Sequence, residues 1–357
     1  MKEIAIIGTV GIPANYGGFE TLTEYLVLNS DENIGYTVFC SSKAYKEKLK
    51  TFNGAKLKYI NLKANGYQSI LFDVISLFKS RKSDVILVLG TSGCIILPFF
   101  KKISKSKIIV NVDGVEWRRD KWNFFIKKFL KISEKMAVKY ADVIVGDNQG
   151  ICDLLQDNYS VNSELIAYGG SHVFKKPLTD SLINDFPFLN KSYAFKVCRI
   201  EPENNVEIIL EAYSELNDEL VIIGNWQNSD FGKQLFQRFS AFINIHLLDP
   251  IYESDKLNQI RSNCSIYIHG HSAGGTNPSL VEAMSLGLPI ICFDVNFNRF
   301  TTNNKALYFS DKENLKDMIL NSKGDNLIEI SKNLQNIANE QYDWGLITKQ
   351  YKNIFFK

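Results

Sequence analysis

Short apolar runs alternate with amphipathic stretches along most of the chain. Residues 3–7 read as a buried strand ending at Gly8, and further strands are predicted at 36–40, 56–60, 84–90, 107–112, 141–145 and 163–166. Helical periodicity falls at 20–28, 67–79 and from Gln149 onward. A second series follows, with strands at 193–197, 220–224, 243–247, 265–268 and 289–293 and helices at 206–216, 231–242 and 256–261. A last helical stretch, 327–356, is interrupted near residues 343–345. Such alternation predicts an α/β protein of two Rossmann-like, doubly wound parallel sheets. The expected division is 1–172 for the first domain, 173–191 for a linker with Pro177, Pro187 and little periodicity, and 192–340 for the second. Residues 341–357 are expected to form a helix returning to the first domain. Open sheets bind ligands at their strand C-termini, so the loops at Gly17, Asp113 and Gly274 are expected to face one crevice.

One unit stands out chemically. After the strand at 265–268 come Gly274 and Gly275, then Thr276, Asn277, Pro278, Ser279, Leu280 and, one turn later, Glu282. Asn277 or Thr276 suits a helix cap and Pro278 the first turn. Glycines and a free helix N-terminus accept an anion, while Glu282 accepts hydrogen bonds from a vicinal diol. An ordinary βαβ element is the alternative reading. The loop after the first strand is glycine-rich, with Gly17 and Gly18 opening a helix, yet lacks G-x-G-x-x-G and is too long for a dinucleotide turn. It reads as a ligand wall or as plain turn chemistry.

The 357 residues allow two sizeable cores, and 45% hydrophobic with 22% charged residues are globular values. A net charge of +2 gives no global signal for nucleic acid. Six scattered cysteines and four histidines show no metal-ligand spacing, so the expectation is reduced thiols, a cytoplasmic setting and no metal. No signal peptide is read, and no apolar run approaches a membrane span.

Charge is concentrated locally. Glu116, Trp117, Arg118, Arg119, Lys121 and Trp122 lead into a helix in which Phe125, Phe129, Ile132 and Met136 share one face and Lys128, Lys131, Lys135 and Lys139 another. A core helix with a solvated lysine face is one reading. Peripheral contact with an anionic membrane surface is the other.

The chain resembles the GT-B glycosyltransferases of family GT4, and its N-terminal half the capsule and O-antigen rhamnosyltransferase branch with a DUF1972-type domain. Residues 6–8 and 13–21 (I-I-G…P-A-N-Y-G-G-F-E-T), 113–118 (D-G-V-E-W-R) with Lys121 and Trp122, 199–205 (R-I-E-P-E-N-N) and 274–284 (G-G-T-N-P-S-L-V-E-A-M) carry the resemblance over about residues 3–300. It implies a retaining, metal-independent transferase acting on a nucleotide-diphospho-sugar, with no cofactor. The implied donor is dTDP-rhamnose and the implied acceptor a polyprenyl-diphosphate-linked saccharide at the inner membrane face. Glu282 matches the glutamate that holds the ribose, Arg199 the arginine that clamps the diphosphate, and 276–280 the segment meeting diphosphate and sugar. Gly17 and Gly18 match the loop under the donor phosphates. Gly224 and Tyr252 match the surroundings of the base, and Asp113 and Glu116 the acceptor side.

Three positions depart from the family pattern. Gly274 stands where a first glutamate is usual, Asn204 or Asn205 where a lysine is usual, and Asp113 where many relatives have histidine. Two other functions share the fold: a nucleotide-sugar epimerase or hydrolase, and a non-catalytic nucleotide-sugar binding protein.

Overall fold

A computed structural model describes residues 1–14, 17–112, 114, 117, 123–321 and 325–357. Asp113, Glu116, Arg118, Arg119, Lys121 and Trp122 lie outside the described residues. The chain divides into two compact units, Met1–Tyr168 with Gly345–Lys357, and Gly169–Trp344.

The first unit runs β1 (Lys2–Ile7), α1 (Gly18–Leu28), β2 (Ile34–Ser41), β3 (Thr51–Phe52), β4 (Ala55–Ile60), α2 (Gln68–Ser80), β5 (Val85–Leu89), α3 (Leu97–Ile103) and β6 (Lys107–Val112). It continues with α4 (Phe124–Tyr140), β7 (Val143–Gly146), α5 (Gln149–Tyr159) and β8 (Glu164–Leu165). Its sheet has the order β3-β4-β2-β1-β5-β6-β7-β8, parallel except for the β3–β4 pair. Ile4–Ile7 and Val85–Leu89 are buried throughout, which is why both strands read as unbroken apolar runs.

The second unit opens with α6 (Asp180–Asp185) and β9 (Tyr193–Val197), then α7 (Val206–Ser214), β10 (Glu219–Ile223), α8 (Asp230–Phe239) and β11 (Ile245–Leu248). There follow α9 (Ser254–Ser262), β12 (Ile266–His269), α10 (Pro278–Ser285), β13 (Ile290–Phe293) and α11 (Asn296–Thr301). The unit ends with β14 (Leu307–Phe309), α12 (Lys312–Asn321) and α13 (Asp325–Gln341). Its sheet, β11-β10-β9-β12-β13-β14, is parallel throughout. Val206, Ile209, Leu210 and Tyr213 of α7 pack with Ile222, Ile268 and Ile291 as its core.

Two expectations need correction. Residues 173–191 are not a bare linker. They hold α6 and a 3-10 turn at Pro187–Asn190, with Leu182 and Leu189 buried. The segment is fastened to α9 by the Lys176 N–H to Ser262 Oγ (3.0 Å) and the Thr179 N–H to Gln259 Oε1 (3.0 Å). A six-residue helix is too short to show a period, which hid it in the sequence. The second correction concerns α4, whose inward side is Ser133, Glu134, Ala137 and Val138 rather than the phenylalanine stripe. These residues include a serine whose Oγ donates to the Thr91 carbonyl at 2.5 Å, so α4 packs closely on the loop after β5.

The last helix, α14 (Trp344–Phe356), completes the first unit. Tyr351 is fully buried and its hydroxyl accepts from Asn111 Nδ2 of β6 at 2.7 Å, while Phe355 packs edge-on against Tyr36 of β2.

Candidate functional site

Each sheet reverses its direction of growth once. In the second unit the reversal lies between β9 and β12, which are neighbours in space though far apart in sequence. Crossovers leave on opposite sides there and open a crevice at the strand C-termini. The loop after β9 carries Arg199 and Asn204; the loop after β12 carries Gly274, Gly275 and Thr276 and leads into α10. Thus the motif residues of this half converge on one switch point.

Asn277 caps α10 by accepting the Ser279 N–H at 3.0 Å, and Pro278 occupies the first turn. Ser279 Oγ donates to Asn277 Oδ1 and accepts from Tyr267 OH at 2.9 Å. Leu280 is fully buried and Thr276 nearly so, so this stretch presents a ligand mainly with backbone. Gly274 has φ 108°, a conformation L side chains rarely adopt, and the space about it is open except for His271. Gly275 is half-buried in the same loop.

Glu282 is more elaborately held than its sequence position implies. Oε1 faces His172 Nε2 at 3.1 Å, and Oε2 accepts from the buried Arg261 guanidinium, whose other arm donates to Asn258 Oδ1 at 2.8 Å. Burial alone pushes the Glu282 pKa up; the Arg261 charge and the His172 contact overcome it and hold the carboxyl at about 2. The result is a permanent carboxylate with fixed orientation. Neither Arg261 nor His172 carries a local pattern that marks it as a partner of Glu282. Arg261 lies in a helix of ordinary composition, and His172 is 110 residues from Glu282 along the chain.

Arg199 is different. Its side chain is 41% exposed and, among the described residues, its nearest ion-pair partner is Glu201 at 3.8 Å, a separation that leaves the guanidinium available. Asn204 is buried, with Nδ2 donating to the Arg199 carbonyl at 2.8 Å and Oδ1 3.0 Å from His271 Nδ1. Its amide braces the Arg199 turn and is spent at both ends. Gly224 serves packing: an added Cβ would collide with the Ile200 side chain and the Cys198 carbonyl, while its N–H donates to Leu248 O at 3.0 Å. Tyr252 is 67% exposed.

In the first unit the switch point lies between β1 and β5. The loop after β1 is tied to α1 by two carboxylates. Glu20 Oε1 accepts from Thr9 Oγ1 (3.0 Å) and the Val10 N–H (2.7 Å), and Glu24 Oε2 accepts from the Ala14 N–H (2.5 Å). Burial raises the Glu20 pKa against these bonds. Gly17, at φ 122°, has no room for a side chain because Glu20 Oε2 occupies it, and Gly18 is the first residue of α1. Beside β5, burial lifts the Asp73 carboxyl to about 7, opposed by the hydrogen bond from Ser92.

Trp117 is half-buried, and its indole N–H donates to the buried Glu134 of α4 (3.1 Å to Oε2), which also accepts from Tyr159 OH at 2.7 Å. Lys131 Nζ lies 4.7 Å from the Trp117 ring. Trp117 is therefore anchored on its own unit. At the start of α4, Phe124 and Phe125 are exposed (73% and 80%), with Lys128, Lys131 and Lys135 following on the same helix. Among the described residues no helix is long and apolar enough to cross a membrane.

Residues 181–340 match the family profile described as glycosyl transferases group 1, and residues 1–171 match one described as a domain of unknown function, DUF1972. An uncharacterized glycosyltransferase of Methanocaldococcus jannaschii is 25% identical over 260 residues. That match covers 66% of this chain and 63% of the relative's length. Among solved structures, sucrose-phosphate synthase from Thermosynechococcus elongatus aligns with a TM-score of 0.82 at 14% identity, covering 99% of this chain and 98% of that one. HepE of Anabaena in complex with UDP-glucose aligns with a TM-score of 0.73 at 12% identity, covering 99% of each chain. The fold is GT-B, and the match to the group 1 glycosyl transferase profile falls within the second unit.

Proposed function

We propose that the chain is a retaining glycosyltransferase that takes a sugar from a nucleotide-diphospho-sugar, with L-rhamnose from dTDP-rhamnose as the preferred donor. The proposed acceptor is a polyprenyl-diphosphate-linked saccharide of a bacterial surface polysaccharide, met at the inner membrane face. The observation that carries this reading is Glu282. It is a fixed, ionised carboxylate one turn into α10, behind a cap and glycine loop at the β9–β12 switch point. That is a group suited to two adjacent hydroxyls of a ribose, with the helix N-terminus beside it for phosphate.

Charge develops on the diphosphate as the sugar leaves, and Arg199 with the α10 N–H groups stabilises it there. The scheme needs no metal. Asp113 and Glu116 are assigned to positioning the acceptor hydroxyl, whose proton passes to the leaving phosphate. Incubation with dTDP-rhamnose, UDP-sugars and GDP-sugars, with and without a lipid-linked acceptor, tests the proposal. Glycosylated lipid supports it. Free sugar plus nucleotide without acceptor makes the protein a hydrolase, an altered donor makes it an epimerase, and tight binding without turnover makes it a binding protein.

The membrane part of the reading has its own test. Phe124 and Phe125 insert readily into an interface flanked by lysines, and binding there scales with buried apolar area plus attraction to anionic lipid. Replacing both by serine is expected to weaken sedimentation with phosphatidylglycerol vesicles about tenfold while nucleotide binding is unchanged. Equal vesicle binding by the variant would remove α4 from the membrane contact.

A further inference from the structure

β9 lies in the interior of its sheet, and Tyr193, Ala194 and Phe195 are buried as its position demands. The next residue is Lys196, and it too is buried, at 1% exposure. Its side chain runs toward the C-terminal end of the strand. A methyl carbon placed on Gly270, the residue after β12, would stand 3.1 Å from Nζ. The same position would meet the Asn204 carbonyl, so Nζ ends under the junction of the two loops that carry Arg199 and Gly274.

Among the described residues no carboxylate neutralises this group. Among the described residues no hydrogen bond or ion pair reaches Nζ. The titratable groups acting on it from its own strand end and from β13 are Cys198 and Cys292, whose thiols burial keeps protonated. From β12 comes His269, itself buried, with Nε2 unpartnered. Burial first, then Lys196 and His271, hold His269 well below its ordinary pKa. Arg199 and Glu201 act on Cys198 and lie one step further out. Burial likewise lowers the Lys196 pKa. A buried cation without a counter-charge is costly, and proteins keep one where a ligand supplies the charge.

The diphosphate of a nucleoside diphosphate carries more negative charge than the Arg199 guanidinium neutralises. We propose that Lys196 is the second cation of the donor site, its ammonium meeting the diphosphate from beneath Gly270 when a nucleoside diphosphate binds. This rests on the donor-site reading above and adds a group to it. Burial disfavours the protonated form of the amine, and an incoming anion favours it.

Calorimetric titration of the full chain with UDP, dTDP and GDP, and with the matching monophosphates, tests this at pH 8 in two buffers of different ionisation enthalpy. Expected are net proton uptake with the best-bound diphosphate and, in Lys196→Met, about tenfold weaker diphosphate binding without proton uptake. Monophosphate binding should change less than threefold, and the melting temperature should hold or rise. Diphosphate affinity equal to wild type in Lys196→Met, or undiminished proton uptake, would overturn the proposal alone. Failure of the wild-type chain to bind any of the three diphosphates would overturn the donor-site reading as well. The proton count is taken on the wild-type chain, so it stands even if the variant does not fold.

Discussion

Glu282→Ala is expected to lower turnover at least tenfold and to destabilise the protein by about 3–5 kcal/mol, because it removes one partner of a buried ion pair. The two losses have separate origins. Activity falls because the carboxylate proposed to hold the ribose is gone. Stability falls because Arg261 keeps its charge in a buried site with Asn258 Oδ1 as its remaining partner among the described residues, its Nε already unsatisfied. A double variant, Glu282→Ala with Arg261→Met, should recover most of the urea midpoint and none of the turnover. Recovery of both would take Glu282 out of the donor site. The pH dependence has a definite sign. The folded-state pKa of about 2 lies below the ordinary carboxyl value of 4.5, so the pair stabilises fully above pH 4.5 and its contribution fades as pH falls toward 2.

Arg199→Ala is expected to weaken nucleoside diphosphate binding and turnover about tenfold to a hundredfold, the range of a lost charge-assisted contact. Stability should scarcely change. The Glu201 pair is long and partly solvated, and such pairs contribute about 0–1 kcal/mol. Arg199→Lys should recover only part of the loss, since an ammonium cannot grip two phosphate oxygens as a planar fork does. Unaltered kinetics in Arg199→Ala would exclude it from the site. The contrast between the two positions is useful in itself: one variant loses function and stability together, the other function alone.

The fold was legible because its strands are buried on both faces and therefore stand out as apolar runs, as at 4–7 and 193–197. The α10 cap was legible too, since Asn277-Pro278 specifies a helix start locally. What could not be read were partnerships across the fold. Arg261 meets Glu282 only because α9 and α10 flank the same strand, β12, and no local pattern announces that. Asn204 has the composition of a binding residue, but burial turned it into a brace. Lys196 did leave a visible trace, a charge inside an otherwise apolar strand, whose meaning depends on the missing counter-ion. On α4 the periodicity was correct and the orientation inverted. Serine and alanine face inward there, where backbone closeness matters more than side-chain bulk, and the phenylalanines are left outside.

Completion of the first unit by α14 sets an order of events during synthesis. β6 exposes the Asn111 amide to its partner Tyr351 only after 239 intervening residues have been made. The second unit, continuous from Gly169 to Trp344, is finished earlier than the first. Domains commonly mature from the N-terminus as the chain emerges. Here the first-made sheet waits for α14, and the half that carries Glu282 has all of its residues before that helix is made.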